Sequence, residues 1–128
     1  MPHTLLEYTA NVADRPDFQV FWADLHRHLA AEAPCRIQDI KSRATRLEDF
    51  RMGAGDRESA FVHLTIRIME GRTPEVLERV GRGALELLGR AFPLALASQE
   101  ADLTVEIAGM RRDAYFKASS VKTGMTPS

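Results

Sequence analysis

Twice along this chain a strand-like apolar segment leads into a helical stripe and then into another strand-like segment. No other feature constrains the fold as much. In the second copy Ala60, Val62, Leu64, Ile66 and Ile68 alternate with Phe61, His63, Thr65 and Arg67, the period of two expected of a strand with one buried face. Gly71-Arg72 reads as a turn. Thr73-Pro74-Glu75 reads as a helix start, with a capping threonine and proline at the first helical position. Val76, Val80, Ala84, Leu87, Leu88 and Ala91 then fall on one stripe, Pro93 kinks or closes that helix, and Leu103, Val105 and Ile107 mark another strand. The first copy is fainter. Pro2 to Tyr8 predicts a strand, and Asp14-Arg15-Pro16-Asp17 a capped helix start. Phe18, Phe21, Trp22, Leu25 and Leu29 form its helical stripe, Pro34 ends it, and Cys35 to Thr45 alternates as a second strand. Between the copies Glu48 to Glu58, polar and carrying Gly53 and Gly55, reads as a hairpin or loop.

A strand–helix–strand unit uses its helix as the crossover between parallel strands. The expected fold is therefore α+β: a duplicated β-α-β unit, with a four-stranded sheet and two helices on one face. It forms a single domain over residues 1–117, followed by a polar tail over 118–128 expected to be mobile. The uncovered sheet face carries residues such as Phe61 and Thr65, a mixture poorly suited to water. It is expected to be covered by another subunit.

Composition narrows the function classes. The chain has 128 residues, and 17 Lys and Arg stand against 18 Asp and Glu, a net charge of −1. That balance gives no electrostatic basis for binding nucleic acid or a membrane surface. Cys35 is the one cysteine, so an internal disulfide and a cysteine-rich metal site are both excluded, and a reducing compartment fits. The opening residues lack the cationic and long apolar regions of an export signal, and no segment approaches the roughly 20 apolar residues of a spanning helix. The expected location is the cytoplasm. There is no phosphate loop, paired-histidine metal motif or nucleophile elbow; Gly81-Arg82-Gly83 lies inside a helix and does not follow a strand.

Several segments, taken in order, carry a family resemblance. Met1-Pro2-His3 opens directly into a strand. Ile40-Lys41-Ser42-Arg43 is placed at the end of the second, and Phe61-Val62-His63-Leu64-Thr65 forms the third. Gly71-Arg72 precedes the second helix, and Tyr115-Phe116-Lys117 follows the last strand. From Pro2 to about Lys117 the chain resembles the 5-carboxymethyl-2-hydroxymuconate delta-isomerase family of the tautomerase superfamily. The resemblance implies a homotrimer of β-α-β repeats, with no metal and no organic cofactor. It implies an isomerase moving a proton between keto and enol forms of an unsaturated carboxylate such as 5-carboxymethyl-2-hydroxymuconate, an aromatic ring-cleavage product. The implied catalyst is Pro2, made N-terminal by removal of Met1.

The chemistry is consistent with that implication. A group that takes and returns a proton works best with a pKa near the working pH. An α-amine starts at about 7.7–8.0, and burial or nearby positive charge lowers it toward neutrality. With Met1 retained, the Pro2 nitrogen is an amide and has no basic lone pair. By the same resemblance Arg72 is a substrate-binding residue, and a guanidinium suits a carboxylate because it can donate two parallel hydrogen bonds. Lys41 stands where the best-known family members carry arginine; it keeps the charge and loses the fork. Arg43, two residues on, points to the same face and supports or replaces Lys41.

Other residues have plainer readings. His63 fits a general acid or a packed interface histidine, the second being favoured. His3 reads as pocket lining, His26 and His28 as boundary residues, and Cys35 as a buried residue opening the second strand. Phe61 and Phe116 fit a pocket wall or ordinary core, and Glu7 and Glu106 fit partners of a cation. Two other functions fit the same fold. One is a non-catalytic ligand-binding or assembly module. The other is a different proline-based reaction on an unsaturated acid, such as hydration, dehalogenation or decarboxylation.

Overall fold

The alternation over residues 60–68 is a strand in the computed structural model, which describes residues 1–56 and 58–121. Strand β3 spans Ser59–Met69, and its Ala60, Val62, Leu64, Ile66 and Ile68 are at most 2% exposed. The other strands are β1 (His3–Thr9), β2 (Lys41–Leu47) and β4 (Glu100–Met110). The sheet order is β2-β1-β3-β4, with β1 parallel to β2, β3 parallel to β4, and the central pair β1 and β3 antiparallel. The two parallel pairs are the two expected copies, and β2 and β4 are the edges. The last seven residues of the predicted tail lie outside the described residues.

Helix α1 spans Phe18–Glu32 and α2 spans Pro74–Ala91. Asp17 caps α1, accepting from the backbone nitrogens of Gln19 (2.9 Å) and Val20 (3.3 Å), and Thr73 caps α2 with Pro74 following. Phe21, Trp22, Leu25 and Leu29 from α1 meet Val80, Ala84 and Leu88 from α2 over the buried side chains of Leu6, Val62, Leu64 and Ile66. Each of the valine, leucine, isoleucine and phenylalanine side chains removed from water contributes roughly 1.5–3 kcal/mol. The glycine inside α2 has a packing reason: a Cβ on Gly83 would stand 2.0 Å from the His28 ring, whose Nε2 lies 3.0 Å from the Val80 carbonyl oxygen.

Three features correct the sequence reading. The second strand does not run from Cys35 to Thr45. A 3₁₀ turn occupies Ile37–Asp39, and Lys41 to Arg43 open β2 instead of ending it. Alternation misled because the buried Asp39 carboxylate ends extended structure there: it ion-pairs with Arg36 and with Lys117 from the far end of the chain. Cys35 accordingly precedes the turn and opens no strand. A third helix, α3 (Pro93–Ser98), follows the break at Pro93. Its first turn is capped from a distance by buried Asp14, whose carboxylate accepts from the nitrogens of Leu94 (2.8 Å) and Ala95 (2.9 Å). Of the two forms expected for the segment between β2 and β3, the structure has the loop and not the hairpin, since β1 lies between those strands in the sheet.

Candidate active site

Pairing in the sheet gathers the site. The antiparallel register sets His3 opposite Arg67, so the start of β1 lies at the end of β3, where the chain turns toward Arg72. Gly71 takes the turn with φ +110°, a conformation that suits glycine alone. The parallel register sets His3 beside Lys41, and the Lys41 backbone nitrogen donates to the Pro2 carbonyl at 3.1 Å. Pro2 is buried and lines a cavity of about 380 Å³. Pro34 and Cys35 form part of its wall, Ile68 and Met69 another, and Arg36, Arg72, Arg112, Tyr115 and Lys117 supply its polar surface.

Of the sequence-predicted residues, Pro2 and Arg72 share this cavity. Arg72 is half-buried and one of its nitrogens donates to the Met69 carbonyl at 2.9 Å. Lys41 stands beside the chain's first nitrogen: its Nζ and the Met1 amine both donate to the Asp39 carbonyl, at 2.8 and 2.5 Å. Arg43 does not line the cavity; it donates to His3 Nδ1 at 3.0 Å from the exposed face of the sheet. His63 also lies on that face, between Thr104 Oγ1 (2.6 Å) and Glu106 Oε1 (3.0 Å), and Glu7 is exposed beside it. Phe61 packs edge-on against Phe50, and Phe116 is 88% exposed; neither lines the cavity.

Sequence reasoning gave no role to Asp39, Arg36, Arg112, Tyr115 or Lys117. Asp39 organises the cation-rich wall. Its carboxylate accepts from Arg36 Nε at 3.1 Å and Lys117 Nζ at 3.2 Å, while its carbonyl takes the N-terminus and Lys41. Burial pushes this carboxyl up, but the hydrogen bonds and charges of Lys117 and Arg36 more than offset that and hold it below the usual carboxylate range. A lysine placed two residues after an aromatic, just past the last strand, was the available clue to Lys117.

Around the cavity four cationic side chains face one buried carboxylate. Of these cations Lys117 acts on the chain's first amine, and Lys41 acts on it from outside the cavity lining. With Met1 in place its pKa falls from 8.0 to about 6, first through burial and then through the hydrogen bond and charge of Lys41; Asp39 pulls the other way, and Lys117 adds to the fall. Burial likewise pushes the Cys35 thiol up, away from the thiolate form. The arrangement can therefore hold an anion near an amine that is largely uncharged at neutral pH.

Comparison with known proteins points the same way. A family model described as 5-carboxymethyl-2-hydroxymuconate isomerase matches residues 2–125. The 5-carboxymethyl-2-hydroxymuconate Delta-isomerase of Escherichia coli is 28% identical over 121 residues, covering 94% of this chain and 96% of that one. The crystal structure of a 5-carboxymethyl-2-hydroxymuconate isomerase from Deinococcus radiodurans R1 superposes with a TM-score of 0.83 at 28% identity, over 93% of this chain and 90% of that one. A fused 4-OT described as a symmetric trimer shares the fold, with a TM-score of 0.74 at 11% identity over 95% and 96% of the two chains.

Proposed function

We infer the function from one premise: the chain belongs to the 5-carboxymethyl-2-hydroxymuconate isomerase family, and its class of activity is isomerisation. Its reaction is a proton transfer on an unsaturated carboxylate such as 5-carboxymethyl-2-hydroxymuconate, with Pro2 as the base and then the acid once Met1 is removed. One observation carries this reading: Pro2 is buried in a cavity whose wall holds four cations and one internally paired carboxylate.

The steps follow from those groups. The neutral Pro2 nitrogen takes the proton of the substrate's enol hydroxyl. The O–H electrons form the carbonyl, the double bonds shift, and the distal carbon takes the proton back from the nitrogen. One O–H bond breaks and one C–H bond forms, so substrate and product are isomers. Arg72 binds a substrate carboxylate within the cavity, and Lys41 keeps the amine uncharged and adds attraction at its rim. Arg43 supports the site from the neighbouring strand. The Ile68 and Met69 wall suits the hydrocarbon part of such a substrate.

The functional assembly is a homotrimer, supported by the half-buried side chains of Leu5, His63 and Thr65 on the sheet face opposite the helices, which no helix among the described residues covers. The location is cytoplasmic; among the described residues no helix is long and apolar enough to cross a membrane. The deciding experiment pairs intact-mass analysis with an enol ketonisation assay on the same sample. Processed protein should be active and Pro2→Ala should lose at least a hundredfold in kcat. Activity in protein that retains Met1, or in Pro2→Ala at the wild-type rate, would overturn the proline mechanism. A panel of halogenated and β-keto unsaturated acids tests the other proline chemistries, and light scattering tests the trimer.

A further inference from the structure

Tyr115 has a hydrogen-bond geometry that the proline reading leaves unused. Its hydroxyl lies 2.9 Å from His3 Nε2, with the rings edge-on at 66° and 5.9 Å between centroids. On the other side of the same imidazole, His3 Nδ1 lies 3.0 Å from Arg43 Nη1. An arginine nitrogen can only donate. Nδ1 must therefore be the acceptor, and a neutral ring carries its one hydrogen on Nε2. That hydrogen points at Tyr115, so the tyrosine oxygen accepts and its own O–H is turned away from the histidine. Among the described residues that O–H has no acceptor, while Tyr115 lines the cavity beside Pro2 and Arg72. The neutral form that the argument needs is the one favoured here, since burial, then Arg43, and further the N-terminus, Lys41 and Arg67 all lower the His3 pKa.

We propose that Tyr115 is a further catalytic residue, donating its hydroxyl hydrogen to the substrate's enol oxygen, and that His3 and Arg43 are positioning residues that aim it. The proposal rests on the Pro2 reading and adds a second group to it. As Pro2 removes the enol proton, negative charge grows on the oxygen left behind. A donor fixed at that oxygen strengthens its bond as the charge develops, so it lowers the barrier more than it tightens substrate binding. No proton leaves the tyrosine; the hydrogen bond shortens in the dienolate and relaxes in the ketone. Arg43 acquires a role without touching substrate: it fixes the tautomer of His3, and through it the direction of the tyrosine O–H.

The test is a mutant cycle on processed protein with an enol substrate, measured with Pro2→Ala alongside. Tyr115→Phe should lower kcat by about 10- to 100-fold and change KM less than threefold. His3→Leu should lower kcat by about tenfold on its own and cause no further loss in the Tyr115→Phe background. His3→Gln should restore most of the rate, because its amide oxygen can accept from Arg43 while its NH₂ donates to Tyr115. Wild-type kcat in Tyr115→Phe, or losses from His3→Leu and Tyr115→Phe that simply multiply, would overturn the relay. If Pro2→Ala remains fully active, the proline reading itself falls. An inactive Pro2→Ala with an unimpaired Tyr115→Phe removes only the tyrosine proposal.

Discussion

Replacing Lys41 by methionine tests the electrostatic basis of the site. Lys41 Nζ and the chain's first amine share one acceptor, the Asp39 carbonyl, at 2.8 and 2.5 Å, so the two nitrogens lie within about 5 Å of each other. Two unit charges at that distance repel by roughly 3 kcal/mol at an effective dielectric of about 20, which corresponds to about 2 pKa units. Lys41 is exposed, and solvent weakens the coupling, so a shift of about one unit is expected. Removing the lysine charge favours the protonated amine and raises its pKa. Met1 removal moves the amine by one residue, to the Pro2 nitrogen, still beside Lys41 in the β1–β2 register. In the proposed mechanism that nitrogen is the base and must be neutral to act. The acidic limb of log kcat/KM against pH, which reports the free enzyme, should therefore move up by about one unit in Lys41→Met. Lost substrate attraction would lower the whole profile without moving its limb, so position and height separate the two roles. A limb displaced by less than about 0.2 units would refute the coupling.

Other outcomes follow from named contacts. Arg72→Ala should raise KM by about 10- to 100-fold, the value of a charge-assisted hydrogen bond; Arg72→Lys should recover only part, and an unchanged KM in steady-state assays would remove Arg72 from the site. Asp14→Ala leaves the Leu94 and Ala95 N–H groups without their acceptor and should cost about 1–3 kcal/mol in urea unfolding; a midpoint equal to wild type would show that α3 needs no cap. Asp39, with its carboxyl depressed in the native state, stabilises above its unfolded value of about 3.9, and that contribution disappears as pH falls through the native value. Asp39→Asn should therefore destabilise at pH 7 and flatten the acid-unfolding curve below about pH 4; an equal loss at pH 7 and pH 3 would refute this.

The parts of the fold legible in the sequence were those set by local periodicity. β3 and α2 follow from a strict alternation and a capped stripe, each contained in a few turns of chain. The start of β2 was misread because Ile37, Asp39, Lys41 and Arg43 alternate like a strand, while buried Asp39 takes one of its two partners, Lys117, from the far end of the chain. α3 was invisible for a similar reason: Pro93 announces an ending, and the cap that starts a new helix lies near the start of α1. Of the residues lining the cavity, Pro2 and Arg72 were expected from the family resemblance. Tyr115, Lys117 and Arg112 were not assigned, because what brings them to Pro2 is the central antiparallel pair, which no local pattern encodes. Arg43 was given its place on the sheet, but its partner His3 depends on strand register.

The order of the strands leaves two unlike borders. β2, at one border, carries Lys41, Arg43 and Arg46, and β4, at the other, carries Glu100, Asp102 and Glu106. Copies meeting across a two-fold axis would bring like borders together, cation to cation or acid to acid, whereas borders of opposite sign attract. In the proposed assembly, electrostatics would thus favour head-to-tail contact, the kind of contact that closes into rings and not into pairs, and closure would be sensitive to salt.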